Sequence, residues 1–297
     1  MQKKSTKQKK TSIRVNESPV VGILTQPCNE TSDYIASAYV KFVEASGARA
    51  VPIIWRYSDE EILNLVSKLN GVLLPGGFTP FRNEDGSLTE HSRKVELILN
   101  KVKEFNDEGT YYPVLGICMG MQQIAQIEAP YKDTVELCIF DSGDVADSVI
   151  LKDSAADSQL YNDMPEHLRT AIQNERITYN NHYDGILLSA WNKYSNLKEN
   201  YHLIGTSYDR KGVEYVAMFE SKDYPIWGFQ FHPEKNSFSW NPNSRIPHSP
   251  SAIELTQFFS NFFIKGARRN FNKLDPKHEI FEHFAKQTPL VISFPTM

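Results

Sequence analysis

Val114-Leu115-Gly116-Ile117-Cys118-Met119-Gly120 decides the fold: an apolar strand runs into Gly-x-Cys-x-Gly and continues as a helix-compatible segment. A strained strand-to-helix turn of this kind, a nucleophile elbow, pushes its central side chain out at the carboxyl edge of a sheet. The flanking glycines are needed because bulk on either side would collide. In open α/β sheets function concentrates at that edge. At the amino end of the following helix, unpaired N–H groups and the helix dipole favour a thiolate and can hold an oxyanion. The competing reading is a small buried cysteine near a tight turn.

Upstream, β-branched runs alternate with amphipathic stretches. Val20–Leu24 reads as a buried strand, and residues 34–45 place Ile35, Ala38, Tyr39, Phe42 and Val43 on one helical face before Gly47. A strand follows at 50–54. Ser58 with Glu61 forms a capping box for a helix through Leu69, and Gly71–Leu74 is a strand ending at Pro75-Gly76-Gly77. A helix over 89–106 leads into a strand over 112–116. Four such steps predict an α/β fold, a doubly wound and mostly parallel sheet flanked by helices. Downstream of Pro130 the text predicts extra short strands at 135–139, 203–207, 213–220 and 226–231. A closing helix over 251–269 carries Ile253, Phe258, Phe259, Phe262 and Phe263 at packing intervals. One domain over 18–297 is expected, preceded by a disordered basic arm over 1–17.

The chain has 297 residues, 40% of them hydrophobic, enough to bury a sizeable core. Its 32 Lys+Arg and 36 Asp+Glu are unevenly spread: five Lys and Arg14 lie in the first 14 residues, leaving 26 basic against 36 acidic groups. An acidic body disfavours a nucleic-acid groove, which needs many cations on phosphates. The longest apolar run, 113–121, is broken by glycine and too short to cross a membrane. Residues 1–14 lack the apolar core of a secretory signal and read as a solvated arm. Cys28, Cys118 and Cys138 show no CxxC or Cys/His spacing, so neither a disulfide framework nor a metal site is expected, and Cys28 and Cys138 read as structural. Asn-x-Ser/Thr triplets begin at Asn16 and Asn29.

Two further pieces belong with the elbow. Gly228-Phe229-Gln230-Phe231-His232-Pro233-Glu234 puts a histidine at a strand end with a carboxylate two residues on. Imidazole can take a thiol proton and return it to a leaving amine, and a carboxylate on the other ring nitrogen fixes tautomer and orientation. Proline stiffens the pair. Leu74-Pro75-Gly76-Gly77 is a side-chain-poor strand end that reads as an oxyanion hole, with the amides of Gly77 and Met119 as donors. A plain tight turn is the alternative. Arg82, Arg93 and Lys94 read as a solvated face, with substrate carboxylates as the alternative partners.

These three pieces, in this order and on strand ends, resemble class I glutamine amidotransferase-like hydrolases, and the resemblance narrows to the gamma-glutamyl hydrolases, which trim folylpoly-gamma-glutamates. It covers roughly residues 19–269. It includes Val21-Gly22-Ile23-Leu24-Thr25-Gln26, Ala36-Ser37-Ala38-Tyr39-Val40-Lys41, Gly47-Ala48-Arg49, Asn70 to Gly77, and His232-Pro233-Glu234-Lys235-Asn236 with Trp240 and His248-Ser249-Pro250. The resemblance implies a cysteine peptidase: Cys118 attacks the gamma carbonyl, His232 shuttles the proton, Glu234 orients the imidazole, and a gamma-glutamyl thioester is hydrolysed. It implies no metal or organic cofactor, a small-molecule substrate, a homodimer, and a lysosomal, vacuolar or extracellular location. His182, in Asn180-Asn181-His182-Tyr183, falls where the family has a histidine lining the substrate cleft; a surface histidine is the rival reading. The chain departs from the pattern after the elbow, reading Met119-Gly120-Met121-Gln122-Gln123 where related hydrolases often place Phe and Glu, so cleft shape or specificity could differ. Also open are an amidotransferase subunit feeding ammonia to a synthase, a hydrolase of another gamma-glutamyl amide, and a binding module that kept the triad by ancestry.

Overall fold

The alternation of apolar runs and amphipathic stretches builds a mixed sheet in the computed structural model of the chain, which describes residues 14–28, 32–131 and 133–275. β1 (Val20–Leu24) is buried throughout. β2 (Gln26–Pro27) and β3 (Asp33–Tyr34) then pair as a short antiparallel ribbon, which delays helix α1 to Ser37–Glu44 instead of residue 34. β4 (Arg49–Ile53) returns parallel to β1. α2 (Asp59–Val66) begins at the expected capping box, both of whose hydrogen bonds form between Ser58 and Glu61. β5 (Gly71–Leu74) follows, then α3 (Glu90–Asp107), capped by Thr89, then β6 (Val114–Ile117) and α4 (Met119–Glu128).

The second half was only partly legible. The expected strand at 135–139 is absent: Cys138 has φ of 59°, which a strand cannot accommodate, Leu137 is exposed, and only Glu136 bridges to Gly185. The strands there are β7 (Ser142–Asp147) and the short β8 (Ile150–Leu151), followed by a 3-10 turn and the helices α5 (Gln159–Asp163) and α6 (Glu166–Asn174). β9 (Thr178–His182) pairs with β7 outside the main sheet. Helices α7 (Leu188–Lys193) and α8 (Ser195–Asn200) precede β10 (Tyr201–Tyr208), β11 (Glu214–Ser221) and β12 (Ile226–Phe229). A one-turn helix α9 (Lys235–Phe238) and the long α10 (Pro250–Ala267) follow.

The strand order is β4-β1-β5-β6-β12-β11-β10-β8. The first five run parallel and the last three alternate. Alternate residues of the central strands enter opposite cores: Leu73, Leu115 and Ile117 pack with Phe42, Phe259 and Phe263 of α1 and α10. Val72, Leu74 and Val114 pack with Ile62, Val95 and Ile124 of α2, α3 and α4. Burial on both faces is what makes these strands continuous apolar runs, each large side chain contributing about 1.5–3 kcal/mol.

Residues 1–13 of the expected arm and the Asn29 triplet lie outside the described residues. Of the arm's remaining residues, Arg14 and Asn16 are held: the Arg14 guanidinium stacks over Phe271, and Asn16 donates through Nδ2 to Asn270 O at 2.9 Å. No helix among the described residues is long and apolar enough to cross a membrane.

Candidate active site

Sheet register brings the three sequence pieces together. β6 lies between β5 and β12, parallel to both, with Leu74 opposite Gly116 and Phe229 opposite Ile117. Two residues beyond the Leu74–Gly116 pairing, Gly76 comes alongside Cys118; on the other flank the 230–234 segment, which starts one residue beyond the Phe229–Ile117 pairing, passes it. A separation of more than a hundred residues along the chain is thus closed by one ladder.

Cys118 caps α4 with φ 52° and ψ −110°. A non-glycine residue in such a region stores about 1–3 kcal/mol and persists only where its surroundings over-determine it. Here its N–H donates to Phe229 O at 2.7 Å and its carbonyl accepts from Gln122 N at 3.0 Å. The flanking glycines are dictated by close approach. A Cβ on Gly120 would lie 2.1 Å from Leu74 O, and one on Gly116 would lie 2.6 Å from Ile124 Cδ1 and 2.8 Å from Gly120 O.

His232 is held by its backbone and by its ring. Its N–H donates to Tyr179 O at 2.7 Å, the neighbouring Pro233 carbonyl accepts from Thr256 Oγ1 at 2.6 Å, and Nδ1 donates to Glu234 Oε1 at 2.8 Å. Glu234 is fully buried. That bond leaves Nε2 for the thiol. Burial opposes the imidazolium, but the charges of Glu234 and Cys118 and hydrogen bonding to both outweigh it and push His232 up to about 9. A protonated imidazole is therefore the state the site favours near neutrality.

Tyr39 completes the constellation and was read from sequence only as part of an apolar face. Its Oη accepts from Gly76 N at 2.8 Å and lies 3.3 Å from His232 Nδ1. Burial, then the Glu234 and Cys118 charges, hold Tyr39 protonated well above the usual tyrosine range. Gly76 sits among all of these groups: a Cβ there would be 2.7 Å from Tyr39 Oη, 2.8 Å from His232 Cε1 and 3.3 Å from Cys118 Cβ. Its amide being bonded to Tyr39, the neighbouring Gly77 and Met119 amides are the remaining candidates for an oxyanion. Gly77 packs against Gln26 and Met119, where a Cβ would meet Gln26 Oε1 at 2.6 Å.

His182 is not a surface residue. It lies 3% exposed at the end of β9, edge-on to Tyr215 with centroids 4.8 Å apart. Nδ1 donates to Asp184 O at 2.8 Å, which leaves Nε2 as a buried atom without a partner. Burial drives its pKa down to about 3, so the ring is neutral. Gln122 and Gln230 join it to the elbow: Gln122 Nε2 donates to Asp184 O at 2.8 Å and to Gln230 Oε1 at 3.1 Å, and Gln230 Nε2 lies 3.7 Å from Cys118 Sγ. Both glutamines stood inside the quoted motifs, but nothing in their spacing marks them as partners.

Arg93 and Lys94 pair with Asp59 and Glu90, and Arg82 donates to the carbonyls of Gly86 and Pro130. Cys28, Cys118 and Cys138 are all free thiols. Among the described residues no group of three or more His, Cys, Asp or Glu is arranged to hold a metal ion.

Comparison with known proteins adds independent findings. The family model for glutamine amidotransferase class-I matches residues 32–243. Gamma-glutamyl hydrolase B of Dictyostelium discoideum is 32% identical over 274 residues, covering 90% of this chain and 77% of the relative. Gamma-glutamyl hydrolase 1 of Arabidopsis thaliana is 34% identical over 269 residues, covering 87% and 74%. The gamma-glutamyl hydrolase of Rattus norvegicus is 30% identical over 279 residues, covering 92% and 85%. Among solved structures, the glutaminase domain of Trypanosoma brucei CTPS superposes with a TM-score of 0.54 at 12% identity, covering 87% of this chain and 98% of that one, a likeness of fold.

Proposed function

The chain belongs to the gamma-glutamyl hydrolases of the class-I glutamine amidotransferase family, and from that premise we propose that it hydrolyses gamma-glutamyl bonds of folylpoly-gamma-glutamates through a thioester on Cys118. The observation that carries the reading is the β6–β12 ladder, which sets Cys118 beside His232 while Glu234 holds Nδ1 at 2.8 Å.

In the proposed reaction the Cys118 thiolate adds to the gamma carbonyl carbon. The oxygen that becomes anionic is met by the amides of Gly77 and Met119 at the mouth of the elbow. Collapse of the tetrahedral species breaks the C–N bond, and His232 gives its proton to the departing amine of the next glutamate. The now neutral imidazole takes a proton from water, whose oxygen attacks the thioester. The gamma-glutamyl product leaves and the thiolate–imidazolium pair is restored. Glu234 orients the ring, with the Tyr39 hydroxyl 3.3 Å from the same Nδ1. His182 is assigned a place in the wall of the substrate cleft.

The test is incubation with a pteroyl-poly-gamma-glutamate, following release of glutamate or short gamma-glutamyl peptides. Cys118→Ala and His232→Ala should each lose on the order of 10³-fold or more in kcat, and the double variant little beyond that, because nucleophile and base act as one unit. Undiminished release by Cys118→Ala ends the proposal. Faster ammonia release from free glutamine than glutamate release from the polyglutamate would assign the site to a glutaminase.

A further inference from the structure

We infer that Gln230, oriented by Gln122, is a built-in hydrogen-bond donor to the Cys118 sulfur and selects its thiolate form. The inference rests on the reading of Cys118 as nucleophile and adds two residues to that site. The orientation of both amides follows from what their partners can do. Asp184 O is a backbone carbonyl and only accepts, so the Gln122 atom 2.8 Å from it is the NH₂ group. The second hydrogen of that NH₂ faces Gln230 at 3.1 Å, so the Gln230 atom there is the carbonyl oxygen. The Gln230 NH₂ is thereby turned to Cys118 Sγ, 3.7 Å away.

Neither amide is free to flip. Gln122 is 2% exposed and Gln230 fully buried, and Asp184 O is itself fixed by the Nδ1–H of His182 at 2.8 Å. A donor aimed at sulfur stabilises the charged form over the thiol. The titratable groups that interact with the sulfur include His232 and Tyr39, both of which also interact with Glu234. Gln230 touches a reacting atom, so it is a catalytic residue in this account; Gln122 acts through it and is a positioning residue. The acceptor-only side chain of a Glu at 122 would reverse the chain of donors. Its carboxylate would draw the Gln230 NH₂ to itself and turn the Gln230 carbonyl oxygen toward the sulfur.

The measurement is the pH profile of iodoacetamide alkylation of the full chain, resolved by residue in a mass spectrometer, with the exposed Cys28 and Cys138 as internal references. In Gln230→Met, which keeps the volume and removes the donor, the Cys118 midpoint should rise by about one pH unit. Gln122→Glu should move it at least as far, and Gln122→Met by less. The latter introduces no charge and carries the test if Gln230→Met does not fold. The two reference thiols should not move. Variants that fold and leave the Cys118 midpoint in place overturn the relay, whatever happens to turnover. A wild-type Cys118 no faster than Cys28 and Cys138 below pH 7 instead removes the nucleophile reading on which the relay rests.

Discussion

Gly76 shows how little room the constellation leaves at the level of single residues. A methyl group there would press on the Tyr39 hydroxyl and on the His232 ring at under 3 Å, and neither can retreat, because Tyr39 and His232 are both buried. Gly76→Ala should therefore lower kcat by about 10²-fold, the scale of a displacement of about 1 Å between reacting groups, and cost about 1–3 kcal/mol of stability from overpacking. Steady-state turnover beside a thermal melt checks this; an unchanged kcat would mean the ring is not where activity needs it. Glu234 gives a pH test. It is the larger of the two charges that lift His232 to about 9, so Glu234→Gln should return the imidazole toward its ordinary value of about 6.5. Activity through an imidazolium is lost as pH rises through that value, so the alkaline limb of kcat/KM should move down by about two pH units. A limb that stays put would assign it to another group.

At the level of elements, the site depends on α4 lying tight against β5. A Cβ on Gly120 would approach the Leu74 carbonyl oxygen to 2.1 Å, backbone against backbone, which no rotamer can relieve. Gly120→Ala should destabilise the fold by at least about 3 kcal/mol, read by urea titration, and should damage activity with it. The α2 cap is a contrasting case. Ser58 and Glu61 exchange their hydrogen bonds at the exposed start of a helix that carries none of the site residues. Ser58→Ala should cost about 1 kcal/mol and leave kcat unaltered; a drop in kcat would reveal a coupling of α2 to the site that the packing does not show.

For the molecule as a whole, buried histidines set opposite ends of a stability window. His182 is pushed down to about 3 by burial, and His91 is lowered for the same first reason. A group depressed in the folded state contributes stability that is full above its unfolded value, about 6.5, and is lost as pH falls below it. His232 is raised, so its contribution is full below about 6.5 and is lost as pH rises through about 9. The melting temperature should fall from about pH 6.5 toward pH 5, before most carboxylates titrate. His182→Asn, which can keep a donor toward the Asp184 carbonyl, should flatten that slope. The same slope in the variant would take His182 out of the account. An acidic compartment would act on this limb.

The residues proposed to carry the chemistry stand in motifs whose local demands are written locally. Gly116 needs to be glycine because the helix that follows it turns back to within 3 Å, and the apolar runs of β1, β5 and β6 announce strands buried on both faces. The capping box at Ser58 and the long α10 belong to the same class of signal. What the text left undecided depends on contacts between distant segments. The run at 135–139 has strand composition but no partner strand to complete a ladder, whereas the polar β9 is a strand because β7 pairs with it. Tyr39 looks like any core residue of an amphipathic helix until the fold sets its hydroxyl against Gly76 and His232. Sequence alone determined the elbow, the His-Pro-Glu pair and the parallel half of the sheet, since each follows from periodicity or from sterics over a few residues. Only tertiary structure decided that Cys118, His232, Tyr39, Gln122 and Gln230 share one buried site, because hydrogen-bond geometry between remote segments is fixed by strand register and not by spacing along the chain.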